Sequence, residues 1–209
     1  MMLRHFSAVA LASLLALPLA AQAPSGWKER VDRSTNAADP DDVPDVKFVT
    51  MGKGFHVTTG PAVVLWNSEN KATGTYTIKA RFRLVKPSGH TNYYGLVYGG
   101  SDLDGAGQSY LYAMIAQDGT FLIKHRAGDA THVVHEKTAS DAIVKPDGTG
   151  SSTNTLEVRV GADKIEFLVN GQVVHSGPKA GMTAKTDGVY GLRVNHLLEL
   201  HVDEIGVTK

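Results

Sequence analysis

The stretch from Thr75 to Val85, TYTIKARFRLV, constrains the fold more than any other part of the chain. Tyr76, Ile78, Ala80, Phe82 and Leu84 recur at every second position, with Thr77, Lys79, Arg81 and Arg83 between them. A side-chain period of two belongs to an extended strand; a helix would scatter both sets around its circumference. The stretch is therefore expected to be an antiparallel strand with one face in a core and the other toward water.

Further strands are expected over Tyr93–Tyr98, Ser109–Ala116, Thr120–Arg126, Thr155–Val160, Lys164–Val169, Gln172–His175, Val189–His196 and Leu198–Val207. In the last of these the apolar positions switch from even (Leu198, Leu200, Val202) to odd (Ile205, Val207), which predicts a β-bulge near Asp203 and Glu204. Asp118-Gly119 and Asn170-Gly171 are dipeptides that type I′ hairpin turns prefer, and Asp147-Gly148 and Asp187-Gly188 mark further turns. So many short strands without helical periodicity imply an all-β protein, a two-sheet antiparallel β-sandwich of the jelly-roll kind.

Residues 1–23 have the order of an export signal: Arg4 and His5, an apolar run from Phe6 to Leu19, then Ala20, Ala21 and Ala23 for cleavage after Ala21 or Ala23. The run is shorter than the ~20 apolar residues of a membrane span, and later apolar stretches are shorter still. The expected location is outside the cytoplasm, periplasmic or secreted. Residues 24–45 form a polar lead-in with Pro40 and Pro44 around an acidic cluster, and residues 46–209 form one sandwich domain. The chain has no cysteine, so disulfides, thiolate metal sites and cysteine nucleophiles are excluded. Lys and Arg (21) balance Asp and Glu (21), which gives no general attraction to nucleic acid.

A series of segments resembles the concanavalin A-like lectin and glucanase superfamily, in particular the laminin G-like and glycoside hydrolase family 16-like domains of bacterial exported proteins. They are Gly74–Arg83, then YGLVYGG over 94–100, Tyr110-Leu111-Tyr112, Gly119-Thr120-Phe121, Asn154–Val158, IEFLVNG over 165–171, GVYGL over 188–192 and His201–Ile205. The resemblance implies one convex and one concave sheet, and often a structural calcium near the chain ends. It spans sugar binders, adhesion modules and glycosidases, so function has to come from the residues themselves.

A glycosidase needs two carboxylates flanking the scissile bond, and the paired spacing Glu-x-Asp-x-Glu of the family 16 enzymes is missing. Glu199 and Asp203, with His201 between them, share one face of the last strand and are the weak catalytic candidates for a family 16-like or keto-disaccharide hydrolase-like activity. Glu157 and Glu166 look like ordinary surface residues. The glycines at 99, 100, 105 and 107 precede no helix, and no Gly-x-Ser-x-Gly elbow occurs. No cofactor motif is present. The loop Ser101–Gln108 sets Asp102 and Asp104 two apart among glycines, a candidate for a structural calcium ion, with Asp203 a second; an Asx turn between strands is the preferred reading of the loop. His132 and His135 fall on opposite faces of an expected strand, so a metal pair would need a cross-strand partner such as His125 with His196.

Three strands carry basic or amide side chains on one side: Lys79, Arg81 and Arg83; Lys124 and Arg126; Arg193 and Asn195. Were these strands to share a sheet, the face would suit an anionic or hydroxyl-rich poly- or oligosaccharide, with Trp66, Tyr93 and Tyr110 as ring platforms. A solvated outer face is the plain alternative. The preferred expectation is an exported glycan-binding module, lectin-like or adhesive. A hydrolase is the alternative, and a protein-binding envelope module the third reading.

Overall fold

The computed structural model describes residues 23–209, so the export leader, Ala23 excepted, lies outside the described residues. In chain order the described strands are β1 (Trp27–Asp32), β2 (Lys47–Met51), β3 (Gly54–Thr58), β4 (Ala62–Ala72), β5 (Tyr76–Lys86), β6 (Tyr93–Ser101) and β7 (Ser109–Ala116). They continue as β8 (Thr120–Ala127), β9 (Ala130–Ala139), β10 (Ser152–Val160), β11 (Lys164–Val169), β12 (Gln172–Pro178), β13 (Gly188–Val194) and β14 (Glu199–Thr208). They form two seven-stranded sheets: a front sheet in the order β1-β4-β13-β6-β7-β8-β9 and a back sheet in the order β12-β11-β10-β5-β14-β3-β2. Neighbouring strands such as β5 and β10, or β7 and β8, run antiparallel. No helix of the described residues is long and apolar enough to cross a membrane.

The alternation in β5 does what its period dictates. Ile78, Ala80, Phe82 and Leu84 are sealed between the sheets, and Lys79, Arg81 and Arg83 point outward from the back sheet. The inner face of the front sheet supplies the opposing layer with Tyr94, Leu96, Tyr98, Leu111, Ala113, Ile115 and Phe121. The front sheet departs from the half-buried pattern, because β7 is buried along nearly its whole length on both faces. Its outward side chains Tyr110, Tyr112, Met114 and Ala116 join Val64, Trp66, Tyr93, Val97, Leu103 and Leu122 in a second apolar cluster. A strand covered on both sides reads as a continuous apolar run, which is the pattern of YLYAMIA.

Part of the cover is the segment between β6 and β7, which folds over the outer face. Arg30 Nη1 donates to the Gly105 carbonyl at 2.7 Å, Lys28 Nζ reaches Asp104 at 2.8 Å, and Leu103 sinks into the second cluster. These anchors belong to β1, a strand inside what the sequence presents as a solvated lead-in. Glu29 breaks the apolar spacing of Trp27 and Val31, so the alternation there is too weak to read, yet both pack against the main core.

The turns divide. Asn170 and Gly171 both take positive φ, 51° and 81°, as a type I′ hairpin requires. At the β7–β8 turn Gly119 alone is left-handed (φ 83°) and its N–H bonds the Ala116 carbonyl at 3.1 Å. That is a type I turn followed by a glycine bulge, not a type I′ turn. The bulge at Asp203 and Glu204 is present: the β14–β5 register shifts between Asp203 and Gly206, and Glu204 has φ 57°.

Candidate functional site

On the outer face of the front sheet, beside the folded-over loop, lies a pocket of about 340 Å³. Its walls come from adjacent strands in register. Tyr110 stands opposite Arg126, Tyr112 opposite Lys124, and Met114 opposite Leu122 across β7 and β8. On the other side Gly95 of β6 is paired with Met114 and with Arg193 of β13. A Cβ at Gly95 would come within 2.2 Å of the Ala113 carbonyl, so the position is restricted to glycine and leaves the floor between Arg193 and Met114 bare. Tyr93, Thr131 and Asn195 complete the wall.

Charge in the pocket is unevenly matched. Arg193, 11% exposed, is gripped by the carboxylate of Asp32 from β1 and lies 3.5 Å from the Tyr110 hydroxyl. Burial works against its charge, but Tyr110 and Asp32 outweigh burial and hold the guanidinium above its ordinary pKa. Burial likewise raises the Tyr110 and Tyr112 hydroxyls, against the pull of Arg193, so both remain neutral donors and acceptors. Arg126 donates from Nε to the Gly128 carbonyl at 2.7 Å, and its nearest carboxylate is the solvent-exposed Asp129 at 3.9 Å. Among the described residues Lys124 forms no salt bridge. Arg193 Nε and Asn195 Oδ1 are buried without a hydrogen-bond partner. The pocket is lined by three largely buried tyrosines and offers two cations, Lys124 and Arg126, to a polar ligand.

The residues singled out from sequence divide between two faces. Lys124, Arg126, Arg193, Asn195, Tyr93 and Tyr110 converge on this pocket. Lys79, Arg81 and Arg83 do not, because β5 lies in the back sheet and they face away on the opposite side of the sandwich. There each finds a partner: Lys79 with Glu157 at 3.5 Å, Arg81 with Asp203 and Glu204 at 3.4 Å, and Arg83 with the Ser151 hydroxyl at 3.4 Å. Trp66, 3% exposed, and Tyr110, 2% exposed, both leave almost no ring surface for a sugar, so neither forms the ring platform expected from the sequence. Sequence reasoning missed Tyr112, two residues after Tyr110 and therefore on the same face, and Asp32, whose strand was hidden in the lead-in.

The catalytic candidates also move away from the pocket. Glu199, His201 and Asp203 alternate with buried Leu200 and Val202 on the outer face of the back sheet. Glu199 lies 3.6 Å from His56 and Asp203 3.4 Å from Arg81. Four residues apart on a strand puts their Cα atoms about 13 Å apart, and Glu199 is turned to His56 while Asp203 is turned to Arg81, away from a shared substrate bond. Glu157 is more buried than an ordinary surface residue and is shared by Lys79 and Arg159.

The calcium loop fits a turn better than a cation site. Asp102 accepts from the Gly107 N–H at 3.0 Å, Asp104 is bound by Lys28, and Asp203 is on the other sheet. Among the described residues no three His, Cys, Asp or Glu side chains converge as metal ligands. The histidine expectation needs correction too. A register shift in the β8–β9 pairing sets His132 opposite His125 and His135 opposite Ile123, so the two point to one side. His125 stacks on His132 at 6.0 Å, and His196 lies beyond β13, separated from β8 by β6 and β7.

No protein-family model and no curated protein sequence matches this chain. Solved structures do match its fold. Carbohydrate-binding module CBM66 from Bacillus subtilis superposes with a TM-score of 0.63 at 11% identity, covering 88% of this chain and 96% of the module. A Bacillus subtilis protein of unknown function with a galectin-like fold gives 0.62 at 12% identity, covering 87% of this chain and 88% of that one. A Bacteroides ovatus GH16 protein for mixed-linkage glucan, in complex with product, gives 0.59 at 9% identity, covering 90% and 97%. The chain thus has the concanavalin A-like jelly-roll fold, and identities this low establish the fold alone.

Proposed function

We propose that the chain is an exported glycan-binding module whose ligand docks on the outer face of the front sheet, over β6, β7, β8 and β13. The observation that carries this reading is the contrast between the two outer faces. On the back sheet the outward basic residues of β5 are satisfied by neighbouring carboxylates or a hydroxyl. On the front sheet, among the described residues, the pocket leaves Lys124 without a salt bridge and Arg126 with only an exposed carboxylate 3.9 Å away, beside three tyrosines. A solvated face would resemble the first; a surface built to meet a polar, ring-shaped ligand resembles the second. The printed descriptions of a carbohydrate-binding module and of a mixed-linkage glucan protein among the structural neighbours agree with a glycan partner. Export rests on the leader at residues 1–23.

Affinity electrophoresis or calorimetry of the mature protein against a polysaccharide panel tests the proposal. Tyr112→Ala and Arg126→Ala are expected to weaken retention about tenfold each, as loss of a pocket wall or of a charge-assisted hydrogen bond does. Arg81→Ala, on the opposite face, is expected to leave it unchanged. Retention lost with Arg81→Ala but kept with Arg126→Ala would show that the ligand docks on the back sheet instead.

A further inference from the structure

Resting on the docking face proposed above, we infer that the glycan it takes is acidic, a carboxylate-bearing saccharide of the hexuronate type, with its carboxylate held between Lys124 and Arg126. The charges of the site do not cancel. Arg193 has its counter-ion in Asp32, and Asp32 is shared with Arg30 at 3.9 Å. Nothing equivalent serves the β8 side. Asp129 is fully exposed and 3.9 Å from Arg126, a contact worth little in water. Lys124 and Arg126 sit two residues apart on one face of β8, so their Cα atoms are about 7 Å apart and one anionic group can meet both side chains.

Arg126 is also oriented in advance. Its Nε is committed to the Gly128 carbonyl at 2.7 Å and its Nη1 lies 3.5 Å from the Thr131 hydroxyl, which fixes the guanidinium plane. This leaves Nη2, 3.9 Å from the fully exposed Asp129, as the nitrogen a ligand's anion can win from water. A planar guanidinium edge beside an ammonium matches the two oxygens of a carboxylate, and the fixed plane lowers the ordering cost of binding. At the β13 side of the same pocket the charge of Arg193 is met by Asp32, so no unmatched cation is presented there. The pocket is thus polar at one end and cationic at the other, the distribution of a sugar ring bearing one carboxylate.

The test compares each of several oligohexuronates with its own carboxyl-reduced, neutral form by calorimetry at about 50 and 300 mM salt, using the mature protein. At least one acid oligomer is expected to bind tenfold or more tightly than its reduced form, with the advantage shrinking at high salt. Lys124→Met and Arg126→Met should erase the advantage, bringing the acid oligomer down to the affinity of its reduced form, while Arg81→Met on the opposite face should leave the advantage intact. Lys124→Met removes no hydrogen bond seen in the structure, so it remains informative if Arg126→Met folds poorly. Equal binding of acidic and neutral forms overturns the inference and leaves the docking face standing. An advantage that survives both Lys124→Met and Arg126→Met, or equal binding of a sulfated neutral oligomer, also overturns it. No binding by any saccharide defeats both the inference and the reading beneath it.

Discussion

Replacing Asp32 with Asn asks whether the floor of the pocket is held by one ion pair between strands far apart in sequence. Asp32 closes β1, Arg193 lies on β13, and their side chains are 21% and 11% exposed. Removing one member of a buried pair strands the other charge in a poor solvent, a loss of about 3–5 kcal/mol when burial is complete. Here a fifth of the carboxylate surface still meets water, and the Asn amide oxygen can accept one of the lost hydrogen bonds. The expected loss is therefore about 2–3 kcal/mol. For a domain of this size that lowers Tm by roughly 5–10 °C. Urea unfolding should show a lower midpoint with an unchanged slope, since the surface exposed on unfolding stays the same. Arg193→Met alone should cost less, because the bared carboxylate keeps Arg30 at 3.9 Å. The double variant should be more stable than the sum of the two losses predicts, by about 1.5–3 kcal/mol. A coupling below about 0.5 kcal/mol would refute the reasoning, since the two side chains would then act independently.

Asn154 is fully buried and bonds both the N–H and the carbonyl of Val144, at 2.8 and 2.9 Å. Asn154→Ala should cost about 2–4 kcal/mol and open the segment after β9 to limited proteolysis, because two backbone groups lose their partner. Gly171 has φ 81° with nothing within 4 Å of an added Cβ, so Gly171→Ala should cost about 1–2 kcal/mol through backbone strain alone, measured by the urea midpoint. Burial, helped by His132, His135 and His56 respectively, lowers the pKa of His125, His175 and His201 below the ordinary value of 6.5. Between the lowered and ordinary values the unfolded chain binds more protons than the fold, so stability should fall as pH drops below about 6.5. His175→Gln should flatten that part of the profile of urea midpoint against pH, and an unchanged slope would contradict the burial argument.

The sandwich was legible wherever one face of a strand meets water and the other meets the core, as in Tyr76–Lys86 and Lys164–Val169. The bulge at Asp203 was legible because a parity switch leaves a trace in the apolar positions. What parity cannot give is the partner strand. Grouping Arg81 with Arg126 fails at this point: the outward faces of β5 and β8 carry the same chemistry, but β5 pairs with β10 and β14, whereas β8 pairs with β7 and β9. Arg193 reaches Tyr110 because β13 inserts between β4 and β6, a long-range pairing that no local pattern encodes. The same limit hid β1, whose two inward residues are separated by Glu29, and reversed the His132–His135 geometry through a bulge without a parity signature.

The two outer faces obey one rule of polar chemistry and reach opposite results. A buried polar atom without a partner costs about 1–3 kcal/mol, so a fold under selection for stability alone would fill such vacancies or drain them of polar atoms. The back sheet has done so along β5, where cations and carboxylates meet across strands. The front sheet has not, although Tyr110 and Tyr112, their ring centroids 5.5 Å apart, could have been replaced by a uniformly apolar cover. Arg193 Nε and Asn195 Oδ1 are held in an unsatisfied state by groups that are themselves well fixed: the guanidinium by Asp32, the Asn195 backbone by Tyr93 and Thr59. Neither atom reaches the surface, so that cost is carried by the fold itself, and the groups a ligand could meet are the cations Lys124 and Arg126. A ligand that meets those cations should stabilise the fold, by about 2.7 kcal/mol at a hundredfold excess of ligand over Kd, and Arg193→Met should lower that affinity less than Arg126→Met, because Asp32 already meets the Arg193 charge.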